Sequence, residues 1–99
     1  TERACQEQGL AYTVAQKDYS RFAKGKIIGS PAGFAKLLVE KDTDRILGFH
    51  MIGPNAADLV HEVAVAMNSG QGSAELIRET IHIHHTLAEL IKQVFMQTA

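Results

Sequence analysis

Phe34-Ala35-Lys36-Leu37-Leu38-Val39-Glu40, then Lys41-Asp42-Thr43-Asp44, then Arg45-Ile46-Leu47-Gly48-Phe49-His50-Met51-Ile52: the reading of this run decides the fold. Two segments rich in β-branched, aromatic and aliphatic residues flank four polar ones, which is the pattern of an antiparallel hairpin. Gly53-Pro54-Asn55 then breaks the second strand, and the apolar spacing changes to a helical one. Leu59, Val60, Val63, Ala64 and Met67 form a stripe, Asn55 offers an N-cap with Asp58 three residues on, and Gly70 ends the helix. Ser73 caps a shorter helix with Leu76 and Ile77 facing inward. Thr86 caps a third, whose Leu87, Leu90, Ile91, Val94 and Phe95 share one face.

Upstream of the hairpin, Thr1 caps a short helix through Glu7 that Gly9 stops, and Ala11-Tyr12-Thr13-Val14-Ala15 reads as a strand. Tyr19 to Lys26 reads as a basic, polar loop. Helix, strands, then helices: the order predicts an α+β domain, an antiparallel sheet with helices packed on one face, and residues 1–99 as a single domain.

Composition narrows the function. With 45% hydrophobic residues, 21% charged and a net charge of -1, the chain has no electrostatic footprint for nucleic acid or an anionic membrane. No apolar run approaches the roughly 20 residues that span a bilayer, and no signal peptide is expected. The single cysteine, Cys5, forms no internal disulfide and fits a reducing, cytoplasmic compartment. A glycine-rich nucleotide fingerprint, a Walker loop and paired cysteines are all missing from the 99 residues, so neither a nucleotide cradle nor a complete redox centre is expected within them.

Three of the five histidines fall within four positions, in Ile81-His82-Ile83-His84-His85-Thr86-Leu87-Ala88-Glu89. Three readings stand open on the residues alone. In the first, Thr86 and Glu89 are a capping box, and the histidines are the polar face of an extended segment alternating with Ile81 and Ile83. In the second, His82 and His84 bind a metal with His85, His50 or His61, although no cysteine or acid follows at hydrolase spacing. In the third, Glu89 folds back from the first helical turn and orients His84 for acid–base work near neutral pH.

The stretch Ile81 to Glu89 resembles the His-x-His-Pro-Thr-x-x-Glu signature of dihydrolipoamide dehydrogenases, in the pyridine nucleotide–disulfide oxidoreductase family. Asp44 to Pro54 is similar to the family's strand leading into its interface helix, and Ala57 to Met67 resembles that helix. Gly33 to Leu37 looks like the preceding strand, and Thr1-Glu2 matches the start of the C-terminal interface domain. The resemblance thus covers nearly the whole chain in order. Glutathione reductases, mercuric reductases and soluble transhydrogenases share the domain, but mercuric reductases end in paired cysteines, and Gln93 to Ala99 has none.

The resemblance implies a domain of a homodimeric enzyme whose other domains, absent from these residues, bind FAD and NAD beside a redox disulfide. It implies oxidation of dihydrolipoamide on the lipoyl domain of a 2-oxo acid dehydrogenase complex, with this fragment inactive alone. By position, His84 is the acid–base group and Glu89 orients it, in the partner subunit's active site. The backbone of His84 and His85 lies near the partner flavin, and His82 carries no proton role. An association-only module, or a histidine-rich metal-binding domain, is the alternative. One residue departs from the signature: His85 stands where the family has a proline that commonly follows a cis bond. Bonds before residues other than proline are trans in all but rare cases, so the departure predicts a trans bond and a differently aimed His84.

Overall fold

A computed structural model describes every residue except Phe22, Ser30 and Pro31, with Ala23 described by its backbone alone. Strands β1 (Tyr12–Asp18), β2 (Phe34–Glu40) and β3 (Ile46–Ile52) form an antiparallel sheet in the order β1-β2-β3. The hairpin stands where the sequence predicts it. Its turn places Asp44 at φ 63°, a conformation that aspartate tolerates better than most residues. Pairing runs Leu38 with Gly48 and then Val39 with Ile46, so Leu47 is the extra residue of a bulge. That one-residue shift turns Ile46 onto the same face as Phe49 and Met51, and all three meet the core.

Three helices follow: α3 (Ala56–Met67), α4 (Glu75–Arg78) and α5 (Ala88–Met96); α1 (Glu2–Glu7) and α2 (Ala23–Ile27) precede the hairpin. Helices α3, α4 and α5 cover the face that carries Ala15, Ala35, Leu37 and Val39. At nine residues, α5 is too short to persist alone in water. Its Leu90, Ile91, Val94 and Phe95 are fully buried, and burying four such side chains contributes roughly 6–12 kcal/mol before entropy is counted. Helix α1 lies on the opposite face, where Glu2 pairs with Lys36 at 2.5 Å and Gln6 donates to the Tyr12 hydroxyl at 3.1 Å. Leu38 and Cys5 are buried on that side.

Several local expectations change. The polar loop predicted from Tyr19 to Lys26 holds a 3-10 turn, Tyr19–Arg21, and helix α2. Tyr19 is fully buried, and its hydroxyl donates to the Pro54 carbonyl at 2.7 Å. Its ring fills the space beside Gly53, where any Cβ would collide with it and where φ is 141°. Asn55 precedes α3 in a left-handed conformation at φ 62°, not the extended one of a side-chain-capping residue, and its side chain makes no cap hydrogen bond. Of the α3 stripe, Val63 is buried and Leu59 and Val60 are half-buried, while Ala64 and Met67 are exposed; Ala66 takes their place in the core. Leu76 is exposed and only Ile77 of its pair faces in.

Among the described residues the buried charge is Arg78, whose side chain is 6% exposed. Its guanidinium grips Asp44 through two bonds of 2.8 and 2.9 Å, reaches Glu75 at 2.9 Å, and donates to the Phe95 carbonyl and the Thr98 hydroxyl. The hairpin turn, α4 and the end of α5 are thereby joined at one point by a planar, many-donor guanidinium.

Candidate functional site

The segment between α4 and α5 carries the histidine cluster. Its isoleucines face outward, Ile81 at 87% and Ile83 at 68% exposure, while the His82 side chain is 5% exposed. The alternation expected from the sequence is not kept: Ile81, Ile83, His84 and His85 are all exposed, and His82 alone turns in. Apolar side chains are left in water and an imidazole is taken in.

His84 and Glu89 are brought together. Nδ1 of His84 lies 2.7 Å from Oε1 of Glu89, and Oε2 of Glu89 accepts from the Thr86 amide at 2.9 Å. Half of the expected capping box is present. The Thr86 hydroxyl does not cap the helix; it donates to the Ile83 carbonyl at 2.7 Å and tightens the turn instead. Burial pushes the Glu89 carboxyl up, but hydrogen bonds from His84 and the Thr86 amide outweigh it, and the group sits below the usual carboxylate range. Glu89 is therefore an ionised acceptor, so Nδ1 of His84 carries the proton and donates it. Nε2 then points away from the carboxylate on an imidazole whose side chain is 60% exposed, and among the described residues it has no hydrogen-bond partner. A neutral ring held this way offers a lone pair at Nε2 to an incoming acid.

His85 is exposed beside it, with the two rings tilted by 40°. The His84–His85 peptide bond is cis, against the trans bond predicted from the missing proline.

His82 has partners of its own. Nδ1 lies 2.9 Å from the Thr80 carbonyl, and Nε2 lies 2.5 Å from Oε2 of Glu62 on α3. Nothing local in the sequence pointed to Glu62, twenty residues away. Among the described residues no three His, Cys, Asp or Glu side chains converge as metal ligands, and His82 and His84 are each turned to a different carboxylate. Next to His82 a largely apolar groove of about 400 Å³ runs between α3 and α4, lined by Glu62, Val65, Ala66, Leu76 and Ile77. Val65 on this groove is 66% exposed.

Solved structures share this architecture across nearly the whole chain. The HOCl-induced flavoprotein disulfide reductase RclA of Escherichia coli, in its Cu(II) complex, superposes with a TM-score of 0.89 at 21% identity, over 98% of this chain and 22% of that one. LpdA of Mycobacterium tuberculosis gives 0.87 at 17% identity, over 99% and 21%. The fold is thus that of a domain found in flavoprotein disulfide reductases. The chain belongs to the pyridine nucleotide-disulphide oxidoreductase dimerisation domain family, whose pattern matches residues 1–95. It is 37% identical over 98 residues to the mitochondrial dihydrolipoyl dehydrogenase of Pisum sativum, which is 99% of this chain and 19% of that protein. It is 36% identical to the leghemoglobin reductase of Glycine max, over 99% of this chain and 18% of that protein, and 38% identical to the mitochondrial dihydrolipoyl dehydrogenase of Dictyostelium discoideum, over 97% and 20%. The chain spans about a fifth of the length of these relatives. No helix of the described residues is long and apolar enough to cross a membrane.

Proposed function

We propose that this chain is the C-terminal domain of a dihydrolipoamide dehydrogenase, and that it supplies His84 and Glu89 as the acid–base pair of the partner subunit's active site. One observation carries the reading: an exposed imidazole whose Nδ1 is fixed 2.7 Å from a carboxylate that is itself held by a backbone amide. The dimerisation family and the exposed isoleucines Ile81 and Ile83, which precede His84 in the same segment, support delivery across a subunit contact.

The reaction would take two electrons and two protons from the dithiol of dihydrolipoamide as its disulfide forms; NAD⁺ accepts the electron pair and one proton as hydride and leaves as NADH, and the other proton passes to solvent. The thiolate, not the thiol, attacks a disulfide sulfur, so one substrate proton must be removed first. Nε2 of His84 accepts it, and the Glu89 carboxylate stabilises the resulting imidazolium while keeping the ring from rotating. The turn at His84 and His85 is open on its outer side, which suits the edge of a flavin held by another subunit but cannot enclose one. FAD, bound by the rest of the enzyme, would carry the electron pair between the disulfide and NAD.

The substrate in this reading is lipoamide on the lipoyl domain of a 2-oxo acid dehydrogenase complex. The compartment is cytoplasmic, supported by the unpaired Cys5; since several relatives bear mitochondrial names, cell fractionation decides between the two. The test of the mechanism is His84→Gln in the full-length reductase. Lipoamide turnover is expected to fall by roughly 10²–10⁴-fold, with FAD content unchanged. Turnover at the unmodified rate removes His84 from the chemistry.

A further inference from the structure

The contact between His82 and Glu62 poses a problem of hydrogen accounting. The Thr80 carbonyl can only accept, so Nδ1 of His82 donates to it across 2.9 Å. That leaves Nε2 facing a carboxylate oxygen at 2.5 Å, where a lone pair on each side would repel. The contact holds only with a proton between them, as imidazolium and carboxylate or as imidazole and carboxylic acid. Either way the proton is held in a site that is 5% exposed on the histidine side, away from competing water.

Its location gives it a task. The chain from Thr80 to Leu87 contains no regular element, so its placement depends on side-chain anchors. At its far end Glu89 and the Thr86 hydroxyl fix the turn. At its near end Lys92 of α5 donates to the carbonyls of Arg78 and Thr80, each at 2.7 Å. Between these ends, His82 is the side chain that ties the segment to α3, two residues before His84. Without it, the stretch from Ile81 to His84 has both isoleucines in solvent and no inward apolar anchor.

We propose that His82 and Glu62 are a positioning pair: by sharing one proton they clamp the His84 loop onto α3 and set where the His84 imidazole stands. The proposal rests on His84 being the acid–base group. His82 touches no reacting atom; it acts through the loop. Because α3 also lines the apolar groove against α4, the clamp ties the placement of His84 to that helix.

The experiment uses the full-length reductase with Glu62→Ala, Glu62→Gln, His82→Gln and His84→Gln. Misplacing a catalytic group by about an ångström costs on the order of 100-fold in rate, so Glu62→Ala is expected to lower kcat roughly 10- to 100-fold with KM for lipoamide changed less than about twofold. His82→Gln, whose amide reaches only one of the two acceptors, should fall in the same range. Glu62→Gln is the rescue: its amide donates to a neutral Nε2 and restores the contact without the shared proton, so most of kcat should return. Hydrogen exchange of the amides of residues 79–87 should quicken in Glu62→Ala and stay slow in Glu62→Gln, with FAD content and dimer unaltered. Glu62→Ala and His82→Gln at the original kcat, with His84→Gln inactive, overturn the clamp and leave the acid–base reading standing. His84→Gln at full activity overturns both.

Discussion

Glu89 lies 2.7 Å from Nδ1 of His84 with one oxygen and 2.9 Å from the Thr86 amide with the other, so a single carboxylate both closes the entrance of α5 and orients the imidazole. The two duties have different energetic weights and separate under substitution. Glu89→Gln keeps an oxygen for one donor but loses the charge that stabilises an imidazolium. Helix closure should suffer by about 1 kcal/mol, the worth of an N-terminal cap. Turnover of the full-length enzyme should fall at least roughly 10-fold. A melting curve and a kcat measurement on the same preparation separate the two, and a variant that loses stability but no turnover would make Glu89 a helix cap alone.

The parts of this geometry that could be read in the sequence are the local ones. His84 and Glu89 are five residues apart at a helix start, where backbone geometry alone brings them within reach. The hairpin was legible because two β-rich runs flank four polar residues, and α5 because Leu90, Ile91, Val94 and Phe95 repeat at helical spacing. What escaped depends on partners distant in sequence. Tyr19 sits among polar and basic residues and is buried because Gly53, thirty-four positions on, leaves room for its ring. The bulge at Leu47 reassigns which residues of β3 face inward, and strict alternation cannot reveal it. Ile81 and Ile83 look like core residues by type. In the single chain they are exposed, because the segment that carries them is anchored inward by His82 rather than by its apolar side chains.

Arg78 and Asp44 give the fold an acid-sensitive joint. The Asp44 carboxyl is held below the usual carboxylate range, first by its hydrogen bonds with Arg78 against the opposing effect of burial, then by the Ser73 hydroxyl and the Glu75 amide. A carboxyl whose folded value is depressed contributes stability that is present above its unfolded value, about 3.9, and is lost as pH falls through the folded value. Stability to urea should therefore be flat above about pH 5 and decline below about pH 4. Asp44→Asn preserves the left-handed turn, which asparagine also tolerates, but removes the charge and replaces one of two acceptor oxygens with a donor. It leaves a buried guanidinium with Glu75 as its remaining anion, and should cost roughly 3 kcal/mol at pH 7 while flattening the acid decline. An acid profile identical to that of the unmodified chain would place the sensitivity elsewhere.

The last prediction concerns the isoleucines. Surface substitutions that break no packing or hydrogen bond usually change stability by less than about 0.5 kcal/mol, and Ile81 and Ile83 are 87% and 68% exposed in the single chain. Changing both to serine should therefore leave the fold of one subunit almost untouched. Burying an isoleucine contributes roughly 1.5–3 kcal/mol, so losing two from a subunit contact should raise the dimer dissociation constant at least roughly 100-fold. Sedimentation equilibrium of the full-length chain reads the second effect, and circular dichroism during thermal unfolding reads the first. The expected result is a folded, FAD-loaded subunit that dissociates. If the mutant dimer holds as tightly as before, these side chains lie outside the contact, and the route by which His84 reaches a neighbouring active site must pass along another face of the domain.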